Sequence, residues 1–188
     1  TQLPSQMALG AADDPELARR AGRAVGRELA ALGVTTNLAP VLDVNSDPAN
    51  PVIGVRSFGD DPERVGDLGA AFADGLQDAG VGACGKHFPG HGDTDVDSHR
   101  SLPVVDHGRD RLDAVEFRPF RRAVESDIAA LMTTHIAFPE LTGDAELPAT
   151  LSPTLLTDVL RDELGFDGLL VSDCLEMDAI AGTVGVEE

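Results

Sequence analysis

GVGACGKHF, residues 80–88, is small or apolar at every position until it reaches Lys86 and His87. A strand with one wet face alternates apolar with polar, so an unbroken run of this kind reads as a strand covered on both faces, as in a parallel sheet. Three further runs share the pattern: GVTTNLAPVLDV (33–44), IAALMTTHI (128–136) and GLLVSD (168–173). Each ends on, or just before, groups that can do chemistry. Asp43 and Asn45 follow the first run, Thr134 and His135 close the third, and Asp173 closes the fourth.

Helical patterns separate the runs. Asp13-Asp14-Pro15 opens a helix with Leu17, Ala21, Val25, Leu29 and Leu32 on one face, and Gly33 stops it. Asp60-Asp61-Pro62 opens a second, ending near Gly80. A third is expected over 110–126, and Ser152-Pro153 caps a fourth that Gly165 closes. The order α-β-α-β-α-β-α-β defines an α/β fold. Functional groups at the carboxyl ends of successive parallel strands point to a (β/α)8 barrel, whose site is built there. A doubly wound sheet would confine its site to one crevice, and no glycine-rich phosphate loop follows any strand. Four strands amount to about half of such a barrel.

Composition narrows the function. Fourteen Lys and Arg against thirty-three Asp and Glu give a formal charge of -19, which repels phosphate backbones and argues against nucleic acid as partner. No run is long and apolar enough for a membrane span. The start, TQLPSQMALG, has neither an initiator Met nor the features of a targeting segment, which leaves cytoplasmic and exported locations both open. Cys84 and Cys174 are too few for a disulfide framework and read as two buried thiols.

The densest chemistry follows the second strand, in KHFPGHGDTDVDSHR (86–100). A metal reading takes His87, His91, Asp93, Asp97 and His99 as ligands. Against it, Pro89 and Gly90 break any helix that would align His87 with His91, and Lys86 would set a cation beside the metal. A structural reading has His91 bonding backbone in a long loop shaped by Gly90 and Gly92, with Asp93 and Asp95 solvated. An acid/base reading rests on Asp97-Ser98-His99: a carboxylate two residues away can orient an imidazole that gives and takes a proton near neutrality. Asp173, beside the core at the end of its strand, is the best-placed partner for such a dyad.

Taken together, LAPVLDVN (38–45), NPVIGVRSFGDDP (50–62), KHFPGHGDTDVDSH (86–99), MTTHIAFP (132–139) and LGFDGLLVSDCLEM (164–177) resemble glycoside hydrolase family 3, in its bacterial β-N-acetylglucosaminidase branch. The resemblance runs in family order along nearly the whole chain, and the loop KHFPGHG-x-x-x-x-DSH is its most specific part. It implies that residues 1–188 are part of the family's N-terminal barrel domain. It also implies a retaining exo-glycosidase that removes terminal β-linked N-acetylglucosamine, from peptidoglycan-derived fragments, with no cofactor and no metal. Asp173 would be the nucleophile and His99 the general acid/base, oriented by Asp97. Lys86, His87 and Arg56 would hold sugar hydroxyls, whereas without the resemblance Arg56 reads as a surface partner of Asp60 or Asp61. Asp43 and His135 are expected to be structural support. A neutral imidazole repels an incoming anion less than a carboxylate does, so phosphate in place of water is also implied as an acceptor.

The chain departs from the family in two places. Ser172-Asp173-Cys174 stands where SDD is usual, and the family's upstream DQEGG-type strand end is not among these residues. The rival readings are a β-glucosidase or xylosidase of the same family, a metal-dependent hydrolase, and an inactive sugar-binding fragment. A barrel needs eight strands and about 250 residues, so the sequence predicts a fragment of a longer enzyme, prone to self-association through its open sheet edges when alone.

Overall fold

The computed structural model of the protein describes residues 2–94 and 101–182. The Asp-Asp-Pro signatures do what capping chemistry requires. Asp14 accepts hydrogen bonds from the amides of Glu16 and Leu17 at the head of helix α2 (Pro15–Ala31). Asp61 does the same for Glu63 and Arg64 at the head of α3 (Pro62–Asp78). Before them lies a short helix absent from the sequence expectation, α1 (Gln6–Ala12), capped by the Ser5 hydroxyl.

The face that α2 buries includes part of the expected stripe, with Ala21 buried and Leu17 and Val25 packed on the core, but its closest contact is made by smaller residues. Ala18, Ala21, Gly22 and Gly26 are its buried residues, while Leu32 is 79% exposed. Small residues are needed because α2 and α3 touch backbone to backbone. A Cβ on Gly22 would sit 2.1 Å from the Phe72 carbonyl oxygen, and one on Gly75 would sit 2.1 Å from that of Arg19.

The four expected strands form one parallel sheet in the order β1-β2-β3-β4, namely β1 (Thr36–Asn37), β2 (Gly82–Phe88), β3 (Ala130–Thr133) and β4 (Leu169–Ser172). All four are shorter than their apolar runs. In the first run the ladder lapses at Pro40, which has no N–H to give. The chain still tracks β2 beyond it: Cys84 N–H donates to Ala39 O, Lys86 N–H to Pro40 O, and Leu42 N–H to Lys86 O.

The sheet's two faces are both apolar but unequal. Ala83 and Leu131 join the main core under the helices, whereas Cys84, Ala130 and Met132 make a small cluster on the opposite face. Burial raises the Cys84 thiol pKa to about 11. Cys174 lies exposed, so the expectation of two buried thiols holds for only one.

The expected helix over 110–126 is two helices, α4 (Arg109–Ala114) and α5 (Phe117–Glu125). Pro119 explains the break, since it cannot donate to the carbonyl four residues back at Val115. The break turns Phe117 and Phe120 inward, where both rings pack on Phe88. After the short α6 (Pro139–Thr142), the Ser152-Pro153 helix is wound as a π-helix over Thr154–Glu163 and Gly165 follows it at φ +72°. A further short helix, α7 (Asp178–Ala181), follows β4. No described helix is long and apolar enough to cross a membrane.

Candidate active site

The site begins with a register shift. Lys86 pairs with Met132 and Phe88 with Thr133, so β2 holds one residue more than β3 across this step, and that residue is His87. A bulge re-aims side chains. Phe88 drops into the core while Lys86 stays on the other face, and the His87 ring is free to reach across to the first strand's continuation.

There it meets Asp43, which is fully buried. One carboxylate oxygen of Asp43 lies 2.7 Å from His87 Nδ1. The other accepts the backbone N–H of His87 at 3.2 Å and that of His91 at 2.8 Å. Burial alone would raise the Asp43 pKa, but its interactions with His87, with help from His91, more than offset it and hold the carboxyl below its ordinary value.

The far side of the His87 ring fixes its tautomer. Arg56 Nη2 lies 3.4 Å from His87 Nε2, and a guanidinium can only donate. Nε2 is therefore the acceptor, and Nδ1 carries the proton given to Asp43. Arg56 also donates to the Val52 carbonyl. It makes no ion pair with Asp60 or Asp61, and Asp61 is occupied in capping α3.

Lys86 is partly buried beside this chain of groups. Burial first, then the Arg56 charge, pushes its pKa down, against the opposing pull of Asp173, Cys84 and Asp43. Arg56 and Lys86 share an open groove of about 310 Å³ that Gln6, Leu38, Val41 and Val55 also line. A larger concavity, about 440 Å³, lies away from them between α1 and the head of α3.

The loop after β2 is fastened tightly. A Cβ on Gly92 would fall 1.7 Å from the Val44 carbonyl oxygen, so only glycine lets the loop lie against the end of the first strand. Asn50 donates to the carbonyls of His91 and Thr94 and accepts from the amides of Val52 and Ile53. The His91 ring bonds the Thr94 hydroxyl, and burial depresses its pKa despite the nearby Asp43. Asp93 is not the solvated loop residue expected: it accepts from Ser46 and lies 2.5 Å from His107 Nε2. Burial would raise its carboxyl, but His107 and Ser46 bring it below the ordinary range. Asp97 and His99 lie outside the described residues.

Asp173 follows the last residue of β4 and is half-buried, and its Oδ1 accepts the backbone N–H of Cys174 at 2.8 Å. The structure thus gathers Arg56, His87 and Asp43 by direct bonds and brings Lys86 within electrostatic reach of Asp173. Sequence reasoning assigned Asp43 to support without linking it to His87, because the approach spans 44 residues of chain. Among the described residues, no group of three His, Cys, Asp or Glu side chains could hold a metal ion.

An open parallel sheet with charged and titratable groups at its strand ends defines the class: part of a (β/α)8-type barrel, with four of the eight strands. The chain belongs to glycosyl hydrolase family 3, whose N-terminal domain matches residues 1–188. It is similar to a β-hexosaminidase of Thiobacillus denitrificans, 43% identical over 194 residues, covering 100% of this chain and 53% of the relative. It is also similar to β-hexosaminidase A of Pseudoalteromonas piscicida, 42% identical over 194 residues, covering 96% of this chain and 32% of the relative. The solved structure of a family 3 β-N-acetylglucosaminidase from Paenibacillus sp. str. FPU-7 superposes with a TM-score of 0.98 at 54% identity, over 100% of this chain and 36% of that one. The chain therefore spans about half, or less, of the length of these relatives.

Proposed function

We propose that residues 1–188 form part of a family 3 barrel domain and carry the catalytic strand ends of a retaining exo-β-N-acetylglucosaminidase. The observation that carries this reading is the chain from the buried Asp43 and His87 to the half-buried Arg56, beside Lys86, with Asp173 one step beyond β4. Its groups suit a neutral sugar. Arg56 and Lys86 donate to hydroxyl oxygens, and His87 is oriented by a carboxylate that never leaves the core. The names of the β-hexosaminidase and β-N-acetylglucosaminidase relatives support the choice of N-acetylglucosamine over glucose or xylose.

In the first step a carboxylate oxygen of Asp173 bonds to the anomeric carbon as the glycosidic C–O bond breaks. His99, oriented by Asp97, gives its proton to the departing oxygen. In the second step the neutral His99 takes a proton from water, whose oxygen bonds to the anomeric carbon as the ester to Asp173 breaks. Two inversions give net retention. Most retaining glycosidases use two carboxylates about 5–5.5 Å apart, and here an imidazole–carboxylate pair takes one of the two places.

The test is a set of chromogenic N-acetylglucosaminide, glucoside and xyloside substrates, each with and without chelator, on an enzyme of the relatives' length that carries these 188 residues, as wild type and Asp173→Asn. Turnover of the N-acetylglucosaminide alone, unaffected by chelator and abolished in folded Asp173→Asn, is expected. Peptide mass mapping after a slow fluorinated substrate should find the sugar on Asp173. Full activity in the variant rules the mechanism out.

A further inference from the structure

His135 is fully buried just beyond the carboxyl end of β3, and the proposed mechanism gives it no task. Its two ring nitrogens are both engaged. Nδ1 lies 2.9 Å from the Thr150 hydroxyl, which also reaches the Thr134 carbonyl at 3.0 Å and the Thr133 hydroxyl at 2.8 Å. Nε2 lies 3.0 Å from the backbone carbonyl of Cys174. A carbonyl can only accept, so Nε2 carries a proton and donates it.

Cys174 is the residue after Asp173, and both of its polar backbone groups are engaged. Its carbonyl accepts from His135 and from the Met177 amide, and its amide donates to the Asp173 carboxylate. The imidazole therefore reaches Asp173 through one residue of backbone. The strand that leads into this turn is lightly covered: Leu169 is 61% exposed, and no residue of β4 is fully buried. Among the described residues, the His135 bond is the side-chain hydrogen bond that fastens the 173–177 turn to the neighbouring strand.

We infer that His135 is a positioning residue for Asp173: by holding the Cys174 carbonyl, it sets the direction of the carboxylate that the Cys174 amide in turn holds. This rests on the reading of Asp173 as nucleophile for its catalytic consequence, but the geometric claim stands apart from it. Misplacing a reacting group by about 1 Å costs on the order of 100-fold in rate. Loss of this tether should therefore show in kcat and leave KM, which the groove around Arg56 and Lys86 governs, nearly unchanged.

The discriminating pair is His135→Gln and His135→Asn, made in an enzyme of the relatives' length that carries these 188 residues. The Gln side-chain amide reaches the position of Nε2 and can still donate to the Cys174 carbonyl. The shorter Asn amide reaches only the position of Nδ1, keeping Thr150 and losing Cys174. Three measurements are made on both: thermal midpoint, hydrogen exchange of the peptide covering 173–177, and kcat and KM on an aryl N-acetylglucosaminide. Expected are exchange and kcat within about 3-fold of wild type for Gln, but faster exchange and a kcat loss of about 10- to 100-fold for Asn, with KM within about 3-fold in both. Equal losses in the two variants, or exchange at 173–177 that neither changes, would overturn the inference, since a merely structural histidine predicts that result. Should wild type turn over no glycoside while exchange still separates Asn from Gln, the tether stands and the proposed function falls.

Discussion

The carboxylate of Asp43 and the imidazole of His87 meet at 2.7 Å with both groups almost wholly out of water. The pair fixes which His87 nitrogen carries the proton, and through Nε2 it fixes where Arg56 can point. The first consequence concerns Asp43→Asn. If the amide oxygen goes on accepting the two backbone N–H groups, its NH2 faces the protonated Nδ1, donor against donor. The His87 proton must then move to Nε2, where it confronts the Arg56 guanidinium. Denaturant unfolding at pH 7 should show a loss of about 1–3 kcal/mol, the cost of an unsatisfied buried polar group. KM for the glycoside should rise with it.

That cost should depend on pH in one direction. The folded Asp43 carboxyl titrates below its ordinary value of 3.8, so the stability it contributes is fully present above that value. It is lost as pH falls through the folded value. The gap between wild type and Asp43→Asn should therefore be widest near neutrality and shrink in acid below about pH 4. A gap that grows on acidification would contradict the assignment.

Gly92→Ala tests how the loop after β2 is seated. Its new Cβ would meet a backbone carbonyl at 1.7 Å, which no side-chain rotation relieves. A cost at or beyond the upper end of the usual 1–3 kcal/mol for overpacking is expected, about 3 kcal/mol or more, with displacement of the loop and loss of turnover. Gly108→Ala is the control, because a Cβ there meets nothing within 4 Å, and it should stay close to wild type in melting temperature and activity.

The frame of this site was legible in the sequence because strands buried on both faces and Asp-Asp-Pro helix heads are local signals. Lys86, His87 and Asp173 could be placed at strand ends from those runs alone. The bulge at His87 could not, since one extra residue in a ladder shows only when the neighbouring strand is in place. The glycine contact of α2 was not legible for a related reason. Leucines mark an apolar stripe, but the glycines Gly22 and Gly26 mark the closest approach, and closeness is a property of two helices rather than one. Asp93 looked solvated because Ser46 and His107, its partners, lie far away in sequence.

His99→Ala should separate substrates by leaving group. A poor leaving group needs a proton as its bond breaks and an activated aryl oxide does not, so alkyl glycosides should lose about 100-fold or more while activated aryl glycosides lose less in the first step. Asp97→Asn should cost less than His99→Ala and shift the pH profile, because it removes only the orienting charge. Equal losses across leaving groups would assign the proton transfer to another residue.

The open sheet leads to a prediction about association. Among the described residues β1 and β4 are the outer strands, each paired on one side only, and β1 is very short. Unpaired strand edges recruit other chains, and apolar side chains beside them strengthen the tendency. Leu169 on β4 is 61% exposed and Leu38, which lines the groove, is 49% exposed. A closed barrel would leave neither edge unpaired. The 188 residues produced alone should therefore run as a dimer or larger species by size exclusion with light scattering, with little or no glycosidase activity. Leu169→Lys should shift that population toward monomer without lowering the melting temperature by more than a few degrees, since the leucine packs on little. A monomer that is stable and fully active at this length would mean that the four strands need no further pairing, and that the strand ends described above complete the site by themselves.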